Sequence, residues 1–316
     1  MSNKKVIAVL GATGAQGSGL VRAIMADKSG EFTARALTRN VNSDKAKALK
    51  DLGAEIVAVD IDKYESLKSA FKDAYGVFAV TFFWDHFSAD KEIEEVKSIA
   101  KAAKETNIKH VIWSTLEDTR NWIPLNDNRM PTLQEKYKVP HFDGKGEAEK
   151  YFTEQKLPVT FLLTSAYWEN MIYFGWGPTR GQDGKLALNF PMGDKKLPAI
   201  GVEDIGKSAY AIFKRGNEFI GKKVGIAGGH LTGKMMAESL TKALGEEVKY
   251  NAVPFDVYRK FDFPGADDIG NMFQFKHDFE EYYCGARDLE FSKSLNPALK
   301  SFDEWLKENA NKIPLK

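Results

Sequence analysis

The chain has 316 residues, 43% of them hydrophobic, enough to bury a full core in one large α/β domain or in one domain carrying a smaller lobe. Forty-five Lys and Arg stand against 44 Asp and Glu, and the formal charge of +1 offers no whole-protein field for nucleic acid or an anionic membrane. One cysteine, Cys284, excludes an intramolecular disulfide and fits a reducing compartment, the cytoplasm first and the nucleus as an alternative; apolar runs stay below the ~18 residues of a membrane span, and five scattered histidines show no metal-ligand spacing.

Val6 to Leu10 is a continuous apolar run. The glycine-rich segment Gly11-Ala12-Thr13-Gly14-Ala15-Gln16-Gly17 follows, and Ser18 to Ala26 carries apolar residues at helical spacing. Strand, phosphate turn and helix are predicted in that order. Thr33 to Leu37 reads as a second strand, Ser43 to Leu52 as a helix, and Glu55 to Val59 as a third strand ending at Asp60. A helix over Tyr64 to Ala74, a strand at Val77 to Thr81, a helix from about Asp90 to Thr106 and a strand at His110 to Ser114 continue the alternation.

Between Glu117 and Val139 the periodicity fails, with Pro124, Pro131 and Pro140 and several Asn and Asp, which predicts a long connection at the carboxyl edge of the sheet. A helix from about Asp143 to Glu154 and the strand Val159 to Leu163 precede the aromatic stretch Tyr167-Trp168-Glu169-Asn170-Met171-Ile172-Tyr173-Phe174. Gly, Pro and aromatic residues are dense from Gly175 to about Ala199 and from Val253 to Pro297, with a return to the core around Val202 to Phe213 and Lys223 to Ile226. Parallel strands need a crossover between neighbours, so short strands alternating with helices indicate βαβ units. The pattern predicts an α/β, doubly wound parallel-sheet Rossmann fold over residues 1–165, revisited near 200–228, with a smaller, mostly C-terminal lobe within 166–316.

A Gly-x-x-Gly-x-x-Gly match alone is a weak signal, but here it follows an apolar strand and opens a helix. Backbone N–H groups and the positive helix end can then face a pyrophosphate. Gly11, Gly14 and Gly17 permit the tight turn, close backbone approach and close helix-to-strand contact, with Thr13, Ala15 and Gln16 between them. NAD-binding folds place an acidic residue at the end of the second strand for the ribose 2′-OH. This chain has Thr38-Arg39-Asn40, which predicts NADP(H): Arg39 can pair with a 2′-phosphate and stack on adenine. Asp60 and Ile61 are expected to bracket the adenine edge, Thr81, Phe82 and Phe83 to pass beside the nicotinamide ribose, and Lys97 to face the phosphates.

With these residues the chain resembles the NmrA-like family of atypical short-chain dehydrogenases/reductases, and within it the redox-sensing members. The resemblance is carried by the glycine turn, Thr38-Arg39-Asn40, His141-Phe142-Asp143-Gly144-Lys145-Gly146-Glu147, Glu169-Asn170, Phe263-Pro264-Gly265-Ala266 and Asn271-Met272-Phe273, spread over almost the whole chain. It implies a Rossmann domain with a small C-terminal lobe, NADP(H) binding, and a sensor or regulator role in at least some members. Val202-Glu203-Asp204-Ile205-Gly206 looks like the family segment that returns the chain to the Rossmann core, with Asp204 expected as a helix cap. Orthodox members of the wider superfamily use a Tyr-x-x-x-Lys pair and a Ser, in which lysine holds the nicotinamide ribose and tyrosine passes the proton. Here Ser114 and Lys145 match the serine and lysine, but His141 stands at the tyrosine position. Histidine can act as an acid near neutral pH, so chemistry is not excluded although its strongest sequence argument is gone. Tyr167, Trp168, Glu169 and Asn170 are expected beside the nicotinamide, with core packing as the competing role for Tyr167 and Trp168.

Two functions follow. The first is a binding protein that senses the NADPH/NADP⁺ state and changes conformation or partner; the second is an NADPH-dependent reductase of a small carbonyl or quinone-like substrate using Ser114, His141 and Lys145. A regulatory protein partner and a homodimer are left open. Direct nucleic-acid binding is disfavoured by the balanced charge and the lack of a recognition-helix signature.

Overall fold

The computed structural model describes residues 4–315. The elements begin with Lys5–Val9 (β1), Ala15–Ala26 (α1), Phe32–Thr38 (β2), Asp44–Asp51 (α2), Glu55–Ala58 (β3), Tyr64–Phe71 (α3) and Gly76–Ala79 (β4). Ala89–Glu105 (α4), His110–Thr115 (β5), Pro140–Glu154 (α5) and Val159–Leu163 (β6) complete the alternation. Shorter elements follow: Ala166–Tyr167 (β7), Asn170–Tyr173 (α6), Thr179–Arg180 (β8), Leu186–Phe190 (β9) and Lys196–Ile200 (β10). Val202–Arg215 (α7) and Lys223–Gly225 (β11) precede Gly229–Thr232 (β12), Gly233–Leu244 (α8), Val248–Ala252 (β13) and Phe255–Tyr258 (α9). Ala266–Asp278 (α10), Glu280–Gly285 (α11), Leu289–Leu295 (α12) and Phe302–Asn309 (α13) end the chain.

Two compact units are present. The first comprises the residues up to Asp118, His141–Thr164 and Ile205–Val224. Its seven-stranded sheet has the order β11-β6-β5-β4-β1-β2-β3, and β1 through β6 pair in parallel. The order reverses between β1 and β4, the switch point at which doubly wound sheets leave a crevice at the carboxyl ends of their strands. One face is covered by α3, α4 and α5, whose Phe71, Val96, Ile99 and Phe152 bury against Val77, Val111 and Trp113 of the sheet. On the other face Gly206 of α7 meets Gly19 of α1 so closely that an added Cβ would lie 2.2 Å from the Gly19 carbonyl carbon. Small residues at that crossing let the two helices approach backbone to backbone, which explains the glycine of the Val202 to Gly206 segment.

The predicted strands Val6 to Leu10 and Val77 to Thr81 end earlier than expected, at Val9 and Ala79: the chain enters the glycine turn at Leu10, and residues 80–82 leave the ladder as an irregular segment before Phe83. The predicted helix from Asp143 starts instead at Pro140, where the missing N–H costs nothing and the fixed φ favours helix entry.

The second unit comprises Thr119–Pro140, Ser165–Asp204 and the residues from Gly225 onward. It has two three-stranded sheets, β12-β10-β7 and β13-β9-β8. Phe273 of α10 stacks on Phe190 with ring centroids 5.9 Å apart, and Trp168 packs on Phe302 and Trp305. The segment expected as a plain long connection is fastened within this unit. Asn271 Nδ2 donates to Pro131 O (3.0 Å) and Lys138 O (2.5 Å), Gln274 Nε2 donates to Arg129 O (2.8 Å), and the buried Lys138 ammonium donates to the carbonyls of Asp127 and Met130. Gly265, with φ of 81°, turns the chain into α10, which accounts for the glycine of the Phe263 to Ala266 motif. Among the described residues no helix is long and apolar enough to cross a membrane, and no group of three or more His, Cys, Asp or Glu could hold a metal ion.

Candidate functional site

The glycine turn leaves β1 at the switch point of the sheet. Gly11 has φ of 61°, a left-handed conformation that suits glycine, and Gly14 N donates to Gly11 O at 2.9 Å. An added Cβ on Gly17 would stand 2.5 Å from Gly11 O, so only glycine lets α1 start this close to the turn. Gly14 is the N-cap of α1 and supplies no capping side chain, while Gly11, Gly14 and Ala15 are exposed. The backbone therefore presents first-turn amides to an anion where most helices present a capping oxygen. Thr13 Oγ1 lies 3.4 Å from Thr38 Oγ1, which joins the turn to the end of β2.

Beyond β2, Arg39 is exposed and its guanidinium pairs with Asp85 at 2.8 Å. Asn40 orders its own loop: its N donates to Thr38 Oγ1 and its Oδ1 accepts from Asn42 N. Asp60 after β3 pairs with Lys63 at 2.9 Å, and that hydrogen bond first, then the Asp62 amide and the charges of Lys63 and Arg39, hold its carboxyl below the ordinary carboxylate range. Ile61 is half-buried beside it, packed on the apolar core. Phe82 is exposed and Phe83 buried.

Lys145 sits in a closed network. Its ammonium donates to Glu92 Oε1 (2.7 Å), Thr81 Oγ1 (2.8 Å) and Thr81 O (3.3 Å), and the Thr81 hydroxyl donates in turn to Glu92 Oε1 at 2.5 Å. The Trp113 ring lies 5.2 Å below the ammonium, a cation–π distance. The glycines flanking this lysine have separate reasons. A Cβ on Gly144 would stand 3.1 Å from Ala89 of α4, and one on Gly146 would stand 2.4 Å from Asp118 N, so α5 is wedged between α4 and the loop after β5. Ser114 donates its hydroxyl proton to Gln16 Oε1 at 2.7 Å, which links β5 to the glycine turn. His141, in the first turn of α5, is buried with its ring 4.9 Å from Trp84, 4.8 Å from Phe142 and 5.9 Å from Phe83.

Within the first unit direct bonds join the glycine turn to Thr38 and to Ser114, and a separate set joins Lys145 to Thr81 and Glu92. Lys97 is placed elsewhere on α4, ion-paired to Glu94 and 5.1 Å over the Tyr151 ring. Tyr167, Trp168, Glu169 and Asn170 belong to the second unit. There Trp168 is core, and both Glu169 oxygens are engaged, Oε2 accepting from Val202 N (3.0 Å) and Oε1 from Trp305 Nε1 (2.8 Å). Burial raises the Glu169 carboxyl above its ordinary range against those two bonds. Tyr167 pairs with Ile200 in the β7–β10 ladder, and Asn170 opens α6. Asp204, expected as a cap, uses its carboxylate to accept from Asn296 Nδ2 (2.9 Å) and Lys300 N (3.1 Å).

Sequence reasoning missed Glu92, Glu95, Trp84 and His86. Glu92 is fully buried, and it occupies a position of α4 where the spacing of the buried Ala89, Val96, Ile99 and Ala103 would place an apolar residue. That interruption was the available signal. His86 Nδ1 accepts from Ser88 N at 3.1 Å, and its Nε2 lies 3.7 Å from Glu95 Oε1. Burial pushes the His86 imidazole down and the Glu95 carboxyl up to about 7, so near neutral pH this contact is not a full ion pair.

The model of the NmrA-like family matches residues 3–306. The chain is 27% identical over 267 residues to an NmrA-like family domain-containing oxidoreductase of Malbranchea aurantiaca, covering 79% of this chain and 76% of that one. It is 26% identical over 315 residues to an NmrA-like family domain-containing protein of Dictyostelium discoideum, covering 97% and 98% of the two. The crystal structure of NmrA, a negative transcriptional regulator, in complex with NADP superposes with a TM-score of 0.79 at 22% identity over 98% of this chain and 96% of that one, and NmrA has also been solved with NAD. With a sequence match over nearly its full length and the Rossmann-type sheet in place, the chain belongs to the NmrA-like family.

Proposed function

We propose that this chain binds NADP(H) at the glycine turn of its first unit and reports the NADPH/NADP⁺ state, as a redox sensor of the NmrA-like family. The fit of the dinucleotide rests on the turn itself: a Cβ would fill the cradle at Gly17, the N-cap of α1 carries no side chain, and Arg39 stands where an acidic residue would repel a 2′-phosphate. Thr38, Arg39 and Asn40 would hold the adenosine side, Asp60 and Ile61 the adenine edge, and Thr81, Phe82 and Lys145 the nicotinamide ribose. NmrA bound to NADP supports the same reading.

The observation favouring a sensor over a reductase is that the proton-handling groups of the expected catalytic set are engaged or replaced. Ser114 gives its proton to Gln16, and a buried imidazole stands in place of the phenol. Sensing further requires that NADPH and NADP⁺ differ in affinity for two states of the protein, with the output passed to a protein partner or a second copy of the chain.

The reductase reading has one observation in its favour. His141 lies one turn before Lys145 on α5, against Trp84 and Phe83, where an imidazole could serve as the acid, and curated relatives carry the name oxidoreductase. When bound, NADPH would supply the hydride. NADPH oxidation across a panel of carbonyls and quinones separates the readings. The sensor reading expects wild-type turnover far below the ~10 s⁻¹ enzyme median, and weak new activity in His141→Tyr at nearly unchanged NADPH affinity. Robust turnover that collapses in His141→Ala with NADPH affinity intact would overturn it. Hydrogen exchange checks the sensing half, and identical protection with NADPH and NADP⁺ would leave no signal to transmit.

A further inference from the structure

The three N–H groups of the Lys145 ammonium are all taken, and the taker that matters is a residue no motif contains. Glu92 is completely buried on α4, and its Oε1 receives both Lys145 Nζ and the Thr81 hydroxyl. Its Oε2 is also buried and has no hydrogen-bond partner. The carboxylate is thus compensated through one oxygen only. If Lys145 swung away, Glu92 would be left as a buried charge without a counter-ion, among the costliest arrangements a protein can hold. Lys145, little exposed itself, has the converse need.

We propose that Glu92 is the positioning residue for Lys145: it fixes the ammonium over Thr81, just beyond the carboxyl end of β4. This rests on the NADP(H) reading for its functional meaning, because that reading puts the nicotinamide ribose beside Thr81. The bond lengths state how the lysine meets a ribose hydroxyl. It keeps Glu92 and the Thr81 hydroxyl and exchanges the 3.3 Å bond to Thr81 O, the longest of the three. Ligand recognition then needs no departure from the buried carboxylate.

The test uses Glu92→Gln, which preserves shape and an acceptor for Thr81 but removes the charge. Trace acetylation of Lys145 by acetic anhydride, read by mass spectrometry on the ligand-free protein, reports how readily the amine loses its proton. NADPH affinity is measured in parallel. Both are done at pH 8 and 9, above the range in which neighbouring Glu95, pushed up to about 7, titrates, while Lys91 stays paired with Asp62. The expectation is acetylation of Lys145 about tenfold or more faster in Glu92→Gln than in wild type, and NADPH binding about tenfold weaker at both pH values. Should the Gln variant fail to fold, Glu92→Asp retains the charge one methylene further back, and an intermediate acetylation rate is expected.

Wild-type acetylation rates in the folded variants would overturn the proposal. Faster acetylation with unchanged NADPH affinity at both pH values would equally overturn it, since Glu92 would then hold Lys145 without serving the site. Absence of NADPH binding by the wild type is a separate result that defeats the functional reading, while the acetylation rates still decide whether Glu92 controls the lysine.

Discussion

His110 opens β5 with its ring fully buried, Nε2 lying 2.8 Å from the Thr160 hydroxyl, which itself donates to Phe219 O at 2.9 Å. Since that hydroxyl spends its proton on the carbonyl, Nε2 carries a hydrogen and donates it to Thr160. Burial pushes the imidazole down to about 4, so between pH 4 and 6.5 the unfolded chain holds the extra proton. Stability from this residue is therefore complete above about 6.5 and declines as pH falls toward 4, by on the order of 3 kcal/mol. Glu95 works the other way: with its folded carboxyl up to about 7, it is most favourable below its unfolded value and loses ground as pH rises through 7. The informative quantity is thus the difference between proteins. In urea unfolding at pH 7.5 and 5.0, His110→Gln should lose less stability on acidification than wild type, and an equal loss in both would contradict this account. Cys284 belongs at the same scale, because burial, with Glu280 next, pushes its thiol up to about 11. A thiol so far from its thiolate is a poor redox trigger, which leaves the dinucleotide as the redox-responsive part of the proposed sensor.

Among the elements, α5 shows how a motif can be legible and its reason hidden. The segment His141 to Glu147 could be picked out from sequence, but why glycine flanks Lys145 on both sides could not, since Ala89 and Asp118 lie far away along the chain. Alanine in a helix interior is worth up to about 1 kcal/mol over glycine, so the steric term decides each sign. At Gly144 an added Cβ would meet the methyl, Cα and carbonyl oxygen of Ala89 at 3.1, 3.2 and 3.3 Å, which α4 and α5 relieve by parting a few tenths of an ångström, and the two effects should nearly cancel. At Gly146 the neighbour is backbone at 2.4 Å, and α5 must shift. Gly146→Ala should cost about 1–3 kcal/mol in thermal unfolding and weaken NADPH binding by displacing Lys145, whereas Gly144→Ala should leave both close to wild type. The reverse order would show that the wedge around α5 is misassigned. Glu92 on α4 was only partly legible. It interrupts the apolar spacing of a helix reading Glu-Ile-Glu-Glu-Val, but only packing shows that this acid turns inward onto Lys145.

At the scale of the whole molecule, the first unit was readable because its rules are local. Apolar runs of five residues, a glycine turn opening a helix and the residue type after β2 follow from backbone sterics and charge within a short window, and β1 to β6 fall where the apolar runs predict strands. The second unit depends on pairings across long separations, such as Asn271 with Lys138 or Asp204 with Asn296, that leave no periodic trace. Hence the segment between Glu117 and Val139 reads from sequence as a long connection, with nothing to show that Arg129, Pro131 and Lys138 are fastened to α10. The same division applies to the candidate site: Gly11, Gly14, Gly17 and Arg39 could be named from their neighbours in sequence, whereas the partners that hold Ser114 and Lys145 could not. In the proposed site the turn and Arg39 select a dinucleotide bearing a 2′-phosphate. Calorimetric titration of wild type and Arg39→Ala with NADPH and NADH tests this directly. Wild type should bind NADPH more tightly, and Arg39→Ala should lose about 1.5–3 kcal/mol for NADPH and less for NADH, which keeps only the adenine contact. Equal affinity of the wild type for the two dinucleotides would contradict this selection.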